Sequence, residues 1–135
     1  MYYIDSNTYI YFDKNASQAL TAKLLSVNPD TLKILSMVAA ELRYGVEKSA
    51  KREYNSERLE KFLELFEIVP FDEQSSICYA AIRADLERRG LIIGANDIII
   101  AATVLSRNGT LITRNTSEFS RISNLNLESW YYEKD

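Results

Sequence analysis

The sequence predicts an α/β fold with a mainly parallel sheet, and three observations carry that expectation. Short runs rich in β-branched and aromatic residues alternate with longer stretches of helical period, the pattern left by parallel strands joined through helices. One stretch, Ile98-Ile99-Ile100-Ala101-Ala102 with Val104 and Leu105, is apolar on nearly every side and reads as a central, buried helix. The chain has 135 residues, 47% of them hydrophobic, enough to bury one core and close to the usual size of one domain, read as residues 1–135.

Tyr2-Tyr3-Ile4 opens the chain as a strand. Asp5-Ser6-Asn7-Thr8 then supplies helix-capping residues ahead of Tyr9, Ile10 and Phe12, so the first unit reads strand, turn, helix, with Asp5 at the strand's carboxyl end. An amphipathic stretch from Ala16 to Leu25 ends at the turn signal Asn28-Pro29-Asp30. Leu32-Lys33-Ile34-Leu35 is the second strand, and Ser36 is placed to cap the helix after it. On that helix Val38, Glu41, Leu42 and Gly45 share one face by the i, i+3, i+4, i+7 rule, so Glu41 points where a leucine would ordinarily go. Asn55 or Ser56 starts another helix, with Leu59, Phe62, Leu63 and Phe66 as its stripe. Ile68-Val69-Pro70-Phe71 is briefly extended, and Asp72 caps a long helix whose stripe includes Ile77, Ala81 and Ala84 and which Gly90 ends. Gly94-Ala95-Asn96-Asp97 leads into the apolar helix. Thr110-Leu111-Ile112-Thr113 is a late strand, followed by a short turn or helix through Phe119. Leu125-Asn126-Leu127 is a last edge strand, and the tail Trp130-Tyr131-Tyr132 folds back.

Composition narrows the chemistry. The chain contains no histidine, which removes histidine general bases, Ser-His-Asp and Cys-His triads, and His-ligated zinc. A single cysteine, Cys78, excludes an internal disulfide and reads as a small core residue suited to a reducing cytoplasm. Met1-Tyr2-Tyr3-Ile4-Asp5 has no basic or apolar leader pattern, and no apolar run approaches the length of a membrane span. The expectation is a soluble, unprocessed, cytoplasmic protein. A net charge of -3 argues against a basic coat for nucleic acid but leaves room for a local basic rim.

The acids point to a site. Asp5, Glu41, Asp97 and the run Asn115-Thr116-Ser117-Glu118 fall at strand ends or on apolar faces. Ligands of parallel sheets bind outside the carboxyl ends of strands. Carboxylates gathered there would repel by about 4 kcal/mol per pair at ~4 Å and an effective dielectric of about 20, a cost that a divalent cation removes. Each residue also has an ordinary reading. Asp5 can be a helix cap, Asp97 can sit in a helix first turn for the macrodipole, and Asn115 with Glu118 has the form of a capping box. Glu41 can pair with Arg43 or Arg114. Ser6 and Thr113 stand beside these acids as supporting hydrogen-bonders. Tyr44, Phe62, Phe66 and Phe71 read as core or interface, and the charged stretch from Glu47 to Arg58 as a solvated face.

Four segments together carry a resemblance: Tyr3-Ile4-Asp5-Ser6-Asn7, Ala40-Glu41-Leu42-Arg43-Tyr44-Gly45-Val46-Glu47-Lys48-Ser49, Gly94-Ala95-Asn96-Asp97-Ile98-Ile99-Ile100-Ala101-Ala102, and Leu111-Ile112-Thr113-Arg114-Asn115-Thr116-Ser117-Glu118-Phe119. In that order and spacing the chain resembles the VapC toxins, which are PIN-domain ribonucleases. The resemblance implies a three-layer α/β/α sandwich, Mg²⁺ or Mn²⁺ held by acids at the carboxyl edge of the sheet, hydrolysis of RNA, neutralisation by a VapB antitoxin, and a homodimer. Asp5, Glu41 and Asp97 fall on the family's three most dependable acidic positions. Asn115 stands where many PIN domains carry aspartate, with Glu118 nearby to supply charge.

On this reading Asp5 and Asp97 bind the metal, Glu41 binds it or orients its water, Asn115 and Glu118 complete the catalytic set, and Arg43 and Arg114 are the rim residues chosen for substrate phosphate. Oxygen-only ligands favour Mg²⁺ or Mn²⁺ over zinc. Direct water attack leaves a 5′-phosphate and a 3′-hydroxyl. Transfer RNA is the structured substrate suggested by similar VapC toxins. The alternative reading is a non-catalytic module that binds protein or RNA and keeps the acids as a structural ion site. A phosphoryl-accepting receiver domain ranks lower, because no lysine completes that site at a late strand end.

Overall fold

The computed structural model describes residues 1–131 of the chain. Five parallel strands form one sheet in the order β3-β2-β1-β4-β5: β1 Tyr2–Ile4, β2 Leu32–Leu35, β3 Ile68–Val69, β4 Thr110–Ile112 and β5 Asn126–Glu128. Among the described residues seven α-helices and one short 3-10 turn, Pro29–Thr31, connect them: α1 Ser6–Asp13, α2 Gln18–Ser26, α3 Ser36–Glu47, α4 Arg52–Leu63, α5 Glu73–Arg88, α6 Ala95–Ser106 and α7 Thr116–Phe119. The expected mainly parallel sheet is thus wholly parallel among the described residues. Right-handed crossovers put α1 to α4 on one face and α5 and α6 on the other, because the chain moves outward through β1, β2 and β3 and then jumps back across β1 to β4. That jump makes the crevice between β1 and β4 the topological switch point.

The register sets what meets there. Tyr3 pairs with Leu111 and Ile4 with Ile112, so Asp5 and Thr113, the residues that follow, leave the sheet side by side. β1 is covered on both faces, with Tyr3 and Ile4 essentially inaccessible. The helix expected to be central is so: Ile98, Ile100, Ala101, Ala102, Thr103 and Val104 of α6 are buried. Gly109 lets the chain into β4, since a Cβ there would collide with the Tyr3 ring. Gly90 ends α5 in the left-handed region at φ 69°.

Several local expectations are corrected. Ser36 does not cap α3; it is the first helical residue, and the cap position, Leu35, makes no side-chain bond because the strand runs directly into the helix. The helix expected to start at Asn55 or Ser56 begins at Arg52, and Phe66 of its stripe lies just beyond the end at Leu63. The stripe assigned to the long helix is rotated. Ile77 is 57% exposed and Ala81 is also exposed, while Ser75, Ile82 and Leu86 face the core. Both faces of α5 carry apolar residues, and packing against α6 decides between them. Of the aromatic residues read as core or interface, Tyr44 and Phe71 are exposed, which leaves the interface reading for these two. Asp72 does cap α5, accepting the Ser75 N–H at 3.0 Å. The tail folds back as expected through Trp130 and Tyr131, both buried, while Tyr132 lies outside the described residues.

Candidate active site

Asp5 is a helix cap and a buried carboxylate at once. Its backbone is extended, as a cap requires, and Oδ1 accepts the Thr8 N–H at 2.9 Å and the Thr8 hydroxyl at 2.6 Å. Oδ2 accepts the Thr113 hydroxyl at 2.6 Å from the end of β4. Burial pushes its pKa up, the hydrogen bonds from Thr113 and Thr8 pull it down, and the charge of Glu41 adds to the rise. Three donors therefore hold the carboxylate in a fixed plane at the switch point.

Glu41 reaches the same place from the middle of α3. Val38 and Leu42 on its face are buried, and Glu41 itself is half-buried. The Ser6 hydroxyl donates to its Oε1 at 2.6 Å and the Asn96 amide to its Oε2 at 3.3 Å, so Glu41 ties together α1, α3 and α6. Arg43, one of the two arginines that the ordinary reading offered Glu41, turns to Glu60 instead, and the two donors that reach Glu41 here are neutral.

Asp97 stands in the first turn of α6, whose cap, Gly94, offers no side chain. Its carboxyl is pushed up to about 6, chiefly by burial and then by the charges of Glu118, Glu41 and Asp5, with Glu118 close enough to share a proton. The four acids taken from the sequence thus act on one another across segments far apart in the chain. Asn115 does not form a capping box, for it makes no side-chain cap; its amide donates instead to Glu118, while its backbone N–H donates to the Thr113 hydroxyl at 3.0 Å. Glu118 is held between Asn115 and Asp97.

The two arginines differ. Arg43 lies two residues beyond Glu41 and so on another side of α3, where it forms a two-point pair with Glu60 of α4 at 2.9 and 3.2 Å. Arg114 stays at the rim, donating to the Tyr11 hydroxyl and stacking over that ring at 5.2 Å from its centroid. Three participants were missed as such: Asn96, which read only as part of the lead-in to the apolar helix, Thr8, which read only as a capping residue, and Tyr131, which had no local signal.

Every donor offered by Asp5, Glu41, Asp97, Asn115 and Glu118 is an oxygen, and each neighbouring charge raises Asp97. That set fits a hard divalent cation, Mg²⁺ or Mn²⁺. Among the described residues no three acids are gathered into an ion cage in the present rotamers, because Asp97 turns to Glu118 and Glu41 to Ser6 and Asn96. Beside Glu41, a groove of about 380 Å³ opens between α1, α3 and α4, lined in part by Tyr9, Ile10, Leu42, Val46 and Leu59.

Comparison with known proteins gives the same architecture a family. The PIN domain model matches residues 2–125. Ribonuclease VapC2 of Rickettsia felis is 41% identical over 131 residues, covering 96% of this chain and 98% of its own. The tRNA(fMet)-specific endonuclease VapC of Salmonella typhimurium is 35% identical over 127 residues, covering 94% of this chain and 96% of its own. The crystal structure of VapBC2 from Rickettsia felis, bound to a DNA fragment from its promoter, superposes with a TM-score of 0.86 at 41% identity, over 96% of this chain and 98% of that one.

Proposed function

The chain belongs to the PIN-domain family, among its VapC ribonucleases, and from that premise we propose that it cuts RNA by Mg²⁺- or Mn²⁺-dependent hydrolysis at the β1–β4 crevice. It is a nuclease toxin of the VapBC kind, and its partner is a VapB-type antitoxin. The observation that carries the metal reading is Asp97, a half-buried acid on which three other carboxylates, Glu118, Glu41 and Asp5, converge from segments far apart in the chain. Transfer RNA is the substrate class we favour, as named for the Salmonella relative.

A divalent cation bound there would offset the carboxylate and phosphate charges and make water acidic enough to attack at neutral pH. Asp5, Asp97 and Glu41 would hold it. Thr8 and Thr113 keep the Asp5 oxygens aimed. Ser6 and Asn96 keep Glu41 facing the crevice. Asn115 steers Glu118, whose carboxylate lies against Asp97. Arg114, lying beside Asn115 on Tyr11, is the guanidinium nearest in sequence to this cluster for a phosphate oxygen. The groove beside Glu41 is an apolar surface on which the antitoxin could lie close to the acids.

Expression without antitoxin, followed by mapping of new RNA 5′ ends, tests the activity. Growth arrest with discrete cuts, both absent for Asp97→Asn, is expected. Unimpaired growth and intact RNA from well-expressed, folded protein would overturn the reading in favour of a binding module.

A further inference from the structure

Thr8 is fully buried, and its hydroxyl has a single hydrogen to give. Three oxygens compete for it: Asp5 Oδ1 at 2.6 Å, the Tyr131 hydroxyl at 2.7 Å and the Ile112 carbonyl at 3.3 Å. An ionised carboxylate can only accept, so the short contact with Asp5 takes the Thr8 hydrogen. Tyr131 must then be the donor in its own contact with Thr8. The result is a one-way chain, Tyr131 hydroxyl to Thr8 hydroxyl to Asp5 carboxylate, in which each bond strengthens the next.

Tyr131 is held for this task from several sides. Its ring is buried and meets the Tyr11 ring edge-on at 5.4 Å between centroids, and its carbonyl accepts the Ser17 hydroxyl at 3.1 Å. Trp130 beside it packs edge-on against Tyr2 of β1, at 5.0 Å. Burial pushes the Tyr131 phenol well above its usual range, so it remains a donor at any working pH.

Resting on the nuclease reading, we propose that Tyr131 is a positioning residue for the reaction, acting through Thr8 to fix the Asp5 carboxylate that holds the metal. Without the Tyr131 hydroxyl, the Thr8 oxygen loses the donor that polarises it, and the bond that Thr8 makes to Asp5 Oδ1 is weaker and less firmly aimed. The tail thus does more than cover the core: it reaches a catalytic-site acid 126 positions earlier by way of one hydroxyl.

Tyr131→Phe, Thr8→Val and the double variant separate this role from simple anchoring, since the Phe keeps the ring and its packing. Mn²⁺ binding is measured by calorimetry on the intact protein, alongside kcat, KM and thermal unfolding. Each single substitution should weaken Mn²⁺ binding and lower kcat by about three- to tenfold with KM for RNA unchanged. The double variant should be no worse than Thr8→Val, because both act through one bond. Unchanged Mn²⁺ affinity in Tyr131→Phe, with or without a lower melting temperature, would overturn the proposal, as would losses that multiply in the double variant. Failure of the wild type to cleave RNA would count against the nuclease reading instead, and the Mn²⁺ affinities would still decide the role of Tyr131.

Discussion

Asp5 and Asp97 face one crevice and were built in opposite ways. Asp5 sits at a strand end where Thr8 and Thr113 deliver three hydrogen bonds, and these neutral donors offset part of the cost of burying its charge. Asp97 lies on a helix start with no capping side chain, and the charges around it are Glu118, Glu41 and Asp5. One acid is fixed by the fold; the other is left uncompensated until a cation or a proton arrives. On the proposed metal reading, Asp5 would be the rigid ligand that defines position and Asp97 the frustrated one that supplies affinity.

Removing each acid should therefore give opposite effects on stability and the same effect on activity. Asp97→Asn and Asp5→Ala should each lower cleavage by about a thousandfold or more, since both ligands are lost to the metal. In EDTA at pH 7.5, however, Asp97→Asn should melt higher than wild type, by about 1 kcal/mol after allowing for its partial exposure, because an unfavourable charge is gone. Asp5→Ala should melt lower by about 2 kcal/mol, having lost the helix cap and stranded Thr113. Thermal unfolding of both variants checks this, and a shift of the same sign in both would break the comparison.

The pH dependence sharpens it next. The folded-state pKa of Asp97, about 6, is above that of an unfolded aspartate, so the folded protein binds more protons between these values. Its contribution to metal-free stability is favourable in acid and is lost as pH rises from about 4 through 6. Mn²⁺ binding competes with that proton, so affinity should rise up to tenfold per unit below about pH 6 and level off above it. Calorimetric titration at several pH values reads both limbs.

Thr113→Val and Ser6→Ala rank lower. Thr113→Val removes the only side-chain donor to Asp5 Oδ2 described here and strands the Asn115 N–H, so a loss of about 1–3 kcal/mol is expected, with weaker Mn²⁺ binding. Ser6→Ala frees one Glu41 oxygen that is nearer solvent, and its effect on unfolding should be smaller. The smallest change is expected for Arg43→Ala. Its pair with Glu60 is exposed and worth at most about 1 kcal/mol, and it faces away from Glu41, so cleavage should stay within about twofold of wild type.

What could be read from the residues follows from range. Strands such as Leu32–Leu35 and the buried helix around Ile100 announce themselves through local period, and Glu41 stood out because an acid interrupted an apolar face. Ser6 and Thr113 were legible as helpers because they adjoin acids in sequence. The face of α5 was not, because both of its sides are apolar and only packing against α6 chooses. The cap at Ser36 failed because β2 passes into α3 without a turn. Tyr131 was invisible as a site residue because its link to Asp5 spans nearly the whole chain. Glu118 and Asn115 were found together, but the local pattern did not tell their bond to each other from a capping box.

Whether these acids form a cation site for hydrolysis is tested most directly by cleavage of RNA by the purified protein in Mg²⁺ or Mn²⁺ and in EDTA, with product ends determined. The expected products carry 5′-phosphate and 3′-hydroxyl ends and are lost in EDTA and restored by added metal. Cleavage that persists in EDTA and leaves cyclic phosphates would contradict the cation site.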